Sequence, residues 1–135
     1  IVGRRLNLNI LGFVDNLEEL MARASFMITK PGGLTVSEAL CAGAPMILVN
    51  PIPKQETKNS AYLQEKGAGL AASSAAEVGE VVRRLFADRK LLGEMEKAAF
   101  SIAYPKAADD VADEVLRSGN RQGTSARARE EGSIL

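Results

Sequence analysis

Two adjacent glycines precede an apolar helical pattern in KPGGLTVSEAL, residues 30–40, and that combination favours an anion. Unpaired backbone N–H groups and the dipole at a helix start attract negative charge, and glycine lets the backbone approach closely. Lys30 adds charge nearby, so phosphate is the chemistry implied. A tight turn is the other reading of Gly32 and Gly33, because the segment is neither a GxGxxG nor a P-loop. Glu38 also has two readings. Thr35-x-x-Glu38 has capping-box spacing, and a carboxylate one turn into such a helix can accept hydrogen bonds from two ribose hydroxyls. A further stretch, NPIPKQETKN at 50–59, is stiffened by Pro51 and Pro53 and then turns polar. It suits sugar hydroxyls or a plain surface turn.

Several chemistries are excluded. The chain has no His, so it holds neither a Ser-His-Asp triad nor a His-ligated metal. Lys plus Arg and Asp plus Glu number 17 each, and aromatics are 4% of residues. Neither a basic field nor a stacking platform points to nucleic acid. Cys41 is the single cysteine, which rules out an internal disulfide; its place in an apolar helical stretch predicts a buried structural thiol in a reducing compartment. No carboxylate pair has evident catalytic spacing. The first residue is Ile1, and neither a leader nor a long apolar run follows, so the chain reads as a fragment or processed piece.

The elements that must position these residues follow from hydrophobic periodicity. At 135 residues, with 46% hydrophobic and 25% charged, the chain has the composition of a single folded domain. Leu8 to Val14 predicts a strand, followed by a helix with Leu17, Leu20, Met21 and Ala24 on one face, capped by Asp15 or Asn16. Phe26 to Thr29 predicts a second strand, TVSEALCA a helix ending at Gly43, and Met46 to Val49 a third strand. A helix then runs to Lys66 and stops at Gly67. Gly69 to Ala72 predicts a short edge strand. Val78, Val81, Val82, Leu85 and Phe86 mark an amphipathic helix. Leu91, Leu92 and Met95 start another, and after Pro105 a last helix carries Ala108, Val111, Ala112, Val115 and Leu116.

Apolar strands alternating with helices imply an α/β fold, a Rossmann-like parallel sheet with helices on both faces. Residues 1–117 are expected to form that lobe and 118–135 a solvated, disordered tail. Parallel sheets place ligands at the carboxyl ends of their strands. The loops Phe13 to Asn16, Lys30 to Thr35 and Asn50 to Glu56 therefore share one rim.

From about Asn9 to Gly69 the chain resembles the carboxyl-terminal domain of glycosyltransferase family 28, with GFVDNLEELMARASFMITKPGGLTVSEALCAGAPMILVNPIPKQETKNSAYLQEKGAG reading almost continuously as family pattern. TKPGG and NPIP followed by Gln-Glu look closest to the branch of the processive diacylglycerol glucosyltransferases and monogalactosyldiacylglycerol synthases. The N-acetylglucosaminyltransferase that converts lipid I to lipid II is a close relative, more often with serine-glycine-alanine at positions 31–33. The family often has Gly where Lys54 stands.

The resemblance implies the carboxyl-terminal lobe of a GT-B fold, amino-terminally truncated here, that holds a UDP-sugar. Phe13 and Val14 would meet the uracil, largely through backbone. Gly32, Gly33, Leu34 and Thr35 would face the diphosphate, Glu38 the ribose, and Gln55 and Glu56 the hydroxyls of the transferred sugar. It also implies an inverting transferase that moves a hexose to a membrane lipid such as diacylglycerol, at the cytoplasmic face of a membrane. The catalytic base and acceptor site belong to a lobe outside this chain. No catalytic residue, metal or cofactor is assigned to the chain, and it is expected to be inactive alone. The alternatives are a non-catalytic nucleotide-sugar-binding subunit or fragment, and the donor lobe of a lipid I N-acetylglucosaminyltransferase.

Overall fold

The structure, a computed structural model, describes residues 7–130. Two compact units divide the chain, one ending at Ala103 and the other starting at Tyr104. In the first, helix α1 (Leu17–Arg23) leads to strand β1 (Met27–Thr29), α2 (Gly33–Cys41), β2 (Met46–Val49), α3 (Thr57–Glu65), β3 (Gly69–Ala72), α4 (Ala75–Ala87) and α5 (Arg89–Ser101). The strands form one parallel sheet in the order β1-β2-β3, with Met46 opposite Met27 on one side and Gly69 on the other.

Period-2 alternation sends β2 side chains to opposite faces, and each face has its own core. Met46 and Leu48 pack with Ala39 and Leu40 of α2, Leu63 of α3 and Ala99 of α5. Ile47 packs with Ala72, Leu85 of α4 and Met95 of α5. Both faces of β2 are thus covered, as its uninterrupted apolar run predicts. The predicted class, a parallel α/β sheet with helices on both faces, is borne out.

The helix ends follow local chemistry. Gly43 and Gly67 have φ of +68° and +77°. Their neighbours close Schellman motifs, with Ala44 N–H donating to the Ala39 carbonyl and Ala68 N–H to that of Leu63. A Cβ on Gly43 would overlap the Phe100 ring, so packing and backbone both require glycine there. Asn16 takes the α1 N-cap position, with its Nδ2 donating to Glu19 Oε2 at 3.1 Å.

Four expectations are corrected. Leu8 to Val14 forms no strand: among the described residues no neighbouring strand takes up its backbone groups, and Leu8, Ile10 and Phe13 stand exposed. Apolar patterning gives a segment strand character, but only a hydrogen-bonded neighbour makes it a strand. The second helix starts at Gly33 rather than Thr35, with Gly32 as N-cap. Cys41 is exposed rather than buried. Ala39 and Leu40 turn to the sheet, and the helical rotation of about 100° per residue carries Cys41 out toward α1.

The fourth correction concerns the tail. In the second unit, α6 spans Ala107–Glu130, so residues 118–130 are helical where the sequence predicts a solvated tail. A lack of large apolar residues argues against packing, not against a helix, and Arg, Ala, Gln and Glu are good helix formers. Residues 131–135 of the expected tail, and residues 1–6, lie outside the described residues. No helix among the described residues is long and apolar enough to cross a membrane.

Candidate functional site

Helix α2 follows β1 after only Lys30, Pro31 and Gly32, which puts its amino terminus at the carboxyl end of the sheet. Its start is open. Gly32 is the N-cap and offers no side-chain acceptor. The Gly32 N–H donates to the Lys30 carbonyl at 2.9 Å, and the Val36 N–H donates to the Gly32 carbonyl at 2.9 Å. Between them, the N–H groups of Gly33, Leu34 and Thr35 have no partner among the described hydrogen bonds. Leu34 is 82% exposed, so this turn faces solvent.

Neither glycine is needed by the backbone. Gly32 has φ of −69° and ψ of 143°, ordinary extended values for any residue, and Gly33 begins a right-handed helix. A Cβ on Gly33 would meet nothing within 4 Å, and one on Gly32 would sit in ordinary contact, 3.6 Å from Glu56 Oε1. A tight turn is present, closed by the Gly32 N–H on the Lys30 carbonyl, but it does not require glycine at either position. What the glycines provide is clear space before a row of bare donors.

Charge at this rim is uneven. Lys30, Lys54 and Lys58 make no ion pair among the described residues. The capping-box reading of Glu38 fails, because a helix starting at Gly33 puts Thr35 inside its first turn and Glu38 in the second. Glu38 instead lines a groove of about 620 Å³ between α1 and α2, with Leu17, Met21, Ser37, Cys41 and Ala42. That size suits a small organic ligand. The walls are largely apolar, but Glu18, Glu19 and Glu38 would repel a phosphate placed inside. A neutral ligand part fits the groove, and an anionic part fits the open helix start beside it.

The loop after β2 is shaped by its own side chains. Glu56 Oε2 accepts a hydrogen bond from the Ile52 N–H at 2.8 Å, folding residues 52–56 back on themselves. Asn50 and Lys54 adopt positive φ of 43° and 68°. A left-handed lysine is strained by about 1–2 kcal/mol, which explains why glycine suits that position. Gln55 is exposed and has no partner among the described side-chain hydrogen bonds. On α3, Asn59 Nδ2 donates to the Pro31 carbonyl at 2.9 Å, bridging the loops after β1 and β2.

The predicted site residues are thus brought together unequally. Gly33, Leu34 and Thr35 form one donor row behind Gly32, whose own N–H is taken by the Lys30 carbonyl, with Glu56 beside Gly32 and Glu38 one turn along. Phe13 is fully exposed and Val14 half-buried, in a segment without a strand to fix it. Sequence reasoning missed Asn59 and the α1 wall of the groove. The i, i+4 pair Leu17 and Met21 was the available signal for that wall. Nothing local marks Asn59.

A family model described as the glycosyltransferase family 28 C-terminal domain matches residues 2–114. The chain belongs to that family. It is 38% identical over 115 residues to a processive diacylglycerol beta-glucosyltransferase of Bacillus cytotoxicus, covering 85% of this chain and 30% of that relative. Its counterpart in Bacillus thuringiensis is 39% identical over 113 residues, 84% of this chain and 29% of the relative. Among solved structures, Acinetobacter baumannii MurG matches with a TM-score of 0.67 and 29% identity, covering 81% of this chain and 33% of that one. The family assignment and these likenesses bear out the expected Rossmann-like lobe of a GT-B glycosyltransferase. The chain spans about a third or less of these proteins' length. Within the family match lie both the open start of α2 and the groove beside Glu38.

Proposed function

We propose that the chain is the UDP-sugar-binding part of an inverting glycosyltransferase that transfers a hexose to a membrane lipid such as diacylglycerol. One observation carries the reading: the bare donors of Gly33, Leu34 and Thr35 stand behind glycines that neither backbone nor packing requires. Such a start suits a diphosphate, which can take several N–H bonds and the positive end of the dipole. Glu38 then reaches the ribose, and the groove beside it takes the nucleoside. Phe13 and Val14 meet the uracil, largely through backbone.

In this reading Gln55 meets sugar hydroxyls, and Glu56 offers Oε1 to them while Oε2 holds the Ile52 N–H. The first turn of α2 stabilises charge on the departing UDP. The acceptor hydroxyl is deprotonated by a base outside this chain as it attacks the anomeric carbon. The chain alone therefore binds donor and transfers no sugar, and it needs neither metal nor cofactor to do so. In this reading the intact enzyme works at the cytoplasmic face of a membrane, as the family resemblance implies. Support for the diacylglycerol reading is the likeness to the processive diacylglycerol beta-glucosyltransferases; the donor lobe of a lipid I N-acetylglucosaminyltransferase is the alternative.

Calorimetry with UDP, ADP and GDP on the folded chain is the test. UDP should bind best, because the helix start treats all diphosphates alike and the groove does not. Equal affinities would remove the nucleotide assignment.

A further inference from the structure

We infer that Asn59 is a positioning residue for the donor site, acting through the Pro31 carbonyl on the bare amides of α2. The inference rests on the proposed diphosphate site at that helix start and adds a residue to it.

The Asn59–Pro31 bond has no counterpart in the described part of the molecule. Every other side-chain hydrogen bond among the described residues joins positions at most four apart in sequence, whereas this one spans 28. It is half-buried, where a hydrogen bond is less easily exchanged for water. Pro31 itself is fully buried, so its ring is held by packing and its carbonyl by Asn59.

The carbonyl concerned is the one that matters. The Pro31 carbonyl belongs to the same peptide as the Gly32 N–H, directly before the N-cap whose own carbonyl accepts the first helical bond, from the Val36 N–H. The amides of Gly33, Leu34 and Thr35 are the bare first turn that follows. By holding the Pro31 carbonyl from α3, Asn59 fixes the peptide plane from which those three amides are aimed.

The residue type fits the task. A carbonyl needs a donor, which rules out Asp, and the short amide reaches from the first turn of α3 without a flexible stem. From the N-cap of that helix, Glu56 approaches Gly32. One end of α3 therefore braces both the diphosphate loop and the sugar loop.

Substitution of Asn59 in the full chain tests this, with uridine, UMP and UDP as ligands followed by NMR titration, which reads millimolar binding. Asn59→Ala should lower the ratio of UDP to uridine affinity about tenfold, the scale of one hydrogen bond at a charged ligand, and leave uridine within about twofold. Gln64→Ala serves as the control, since the Gln64 side chain bonds only back to Ser60 within the same helix; its ratio should stay within about twofold. Should Asn59→Ala fail to give a folded spectrum, Asn59→Ser retains a donor and is expected to lose less of the ratio than Asn59→Asp, which has none. An unchanged ratio in a folded Asn59 variant, or an equal loss for all three ligands, overturns the positioning role. Wild-type chain that binds UDP no better than uridine overturns the diphosphate site itself and the inference with it, a failure visible before any variant is made.

Discussion

Helices α2 and α4 both leave the carboxyl end of a strand, and their starts are built in opposite ways. At α4 the chain closes its own donors: Ser74 is the N-cap, its Oγ accepting from the Glu77 N–H at 3.2 Å. Glu77 Oε2 in turn accepts from the backbone N–H and hydroxyl of Ser73, both at 2.8 Å. This is a capping box shifted by one residue. At α2 no side chain caps the start, glycines clear the space before it, and only the Pro31 carbonyl is tied down. A start without a side-chain cap, which α2 shares with α1 and α3, forgoes about 1 kcal/mol. What sets α2 apart is the pair of glycines that leaves its donors open to a ligand.

The largest effect should come from Glu38→Gln. Removing one charge-assisted contact to ribose is expected to cost about 1.5–3 kcal/mol of UDP affinity, measured by calorimetry. Thermal stability should hardly move, because Glu38 lies beyond the first turn. A loss of stability with unchanged affinity would return Glu38 to a structural role.

Converting the α2 start to the α4 kind breaks the comparison directly. Gly32→Ser supplies an N-cap hydroxyl for the amides of Leu34 or Thr35. Thermal unfolding should show a gain of a few tenths of a kcal/mol, and UDP affinity should fall by about 1–2 kcal/mol. A rise in both would mean that the bare amides do not bind phosphate. The reverse experiment is Ser74→Ala, which should cost about 1 kcal/mol of stability and leave UDP binding unchanged.

The smallest effect is the pH dependence at α4. The Ser73 backbone N–H, then its hydroxyl, hold the Glu77 carboxyl below its ordinary value. A carboxylate whose folded pKa is depressed stabilises above its unfolded pKa and loses that contribution as pH falls through the folded value. Stability should therefore decline in acid below the ordinary carboxylate range, by an amount small for a fully exposed group. Glu77→Gln should flatten that part of the curve. Urea melts of the two proteins at a series of acid pH values would show it.

The order of strands and helices was legible because each reports on its own short-range pattern. Met46 to Val49 is apolar throughout and became the central strand, covered on both faces. Gly43 and Gly67 marked helix ends because left-handed backbone there has few alternatives. The donor row at Gly33 to Thr35 was legible because glycines before a helix are a local signal. Leu8 to Val14 shows the limit: its residues have strand character, but pairing is a property of two segments. Cys41 shows another, since an apolar run does not reveal which side of the helix meets the sheet.

Tertiary structure alone decided what crosses between segments. Thr35 and Glu38 have capping-box spacing by sequence, yet α2 starts two residues earlier, where Pro31 is buried and its carbonyl is held from α3. The groove beside Glu38 exists only because α1 lies against α2. Asn59 carries no mark of its role, because a side chain's partner 28 residues away is fixed by how β1, β2 and α3 pack rather than by the residues around it. Local sequence chose which atoms would be available, and packing chose which of them would meet.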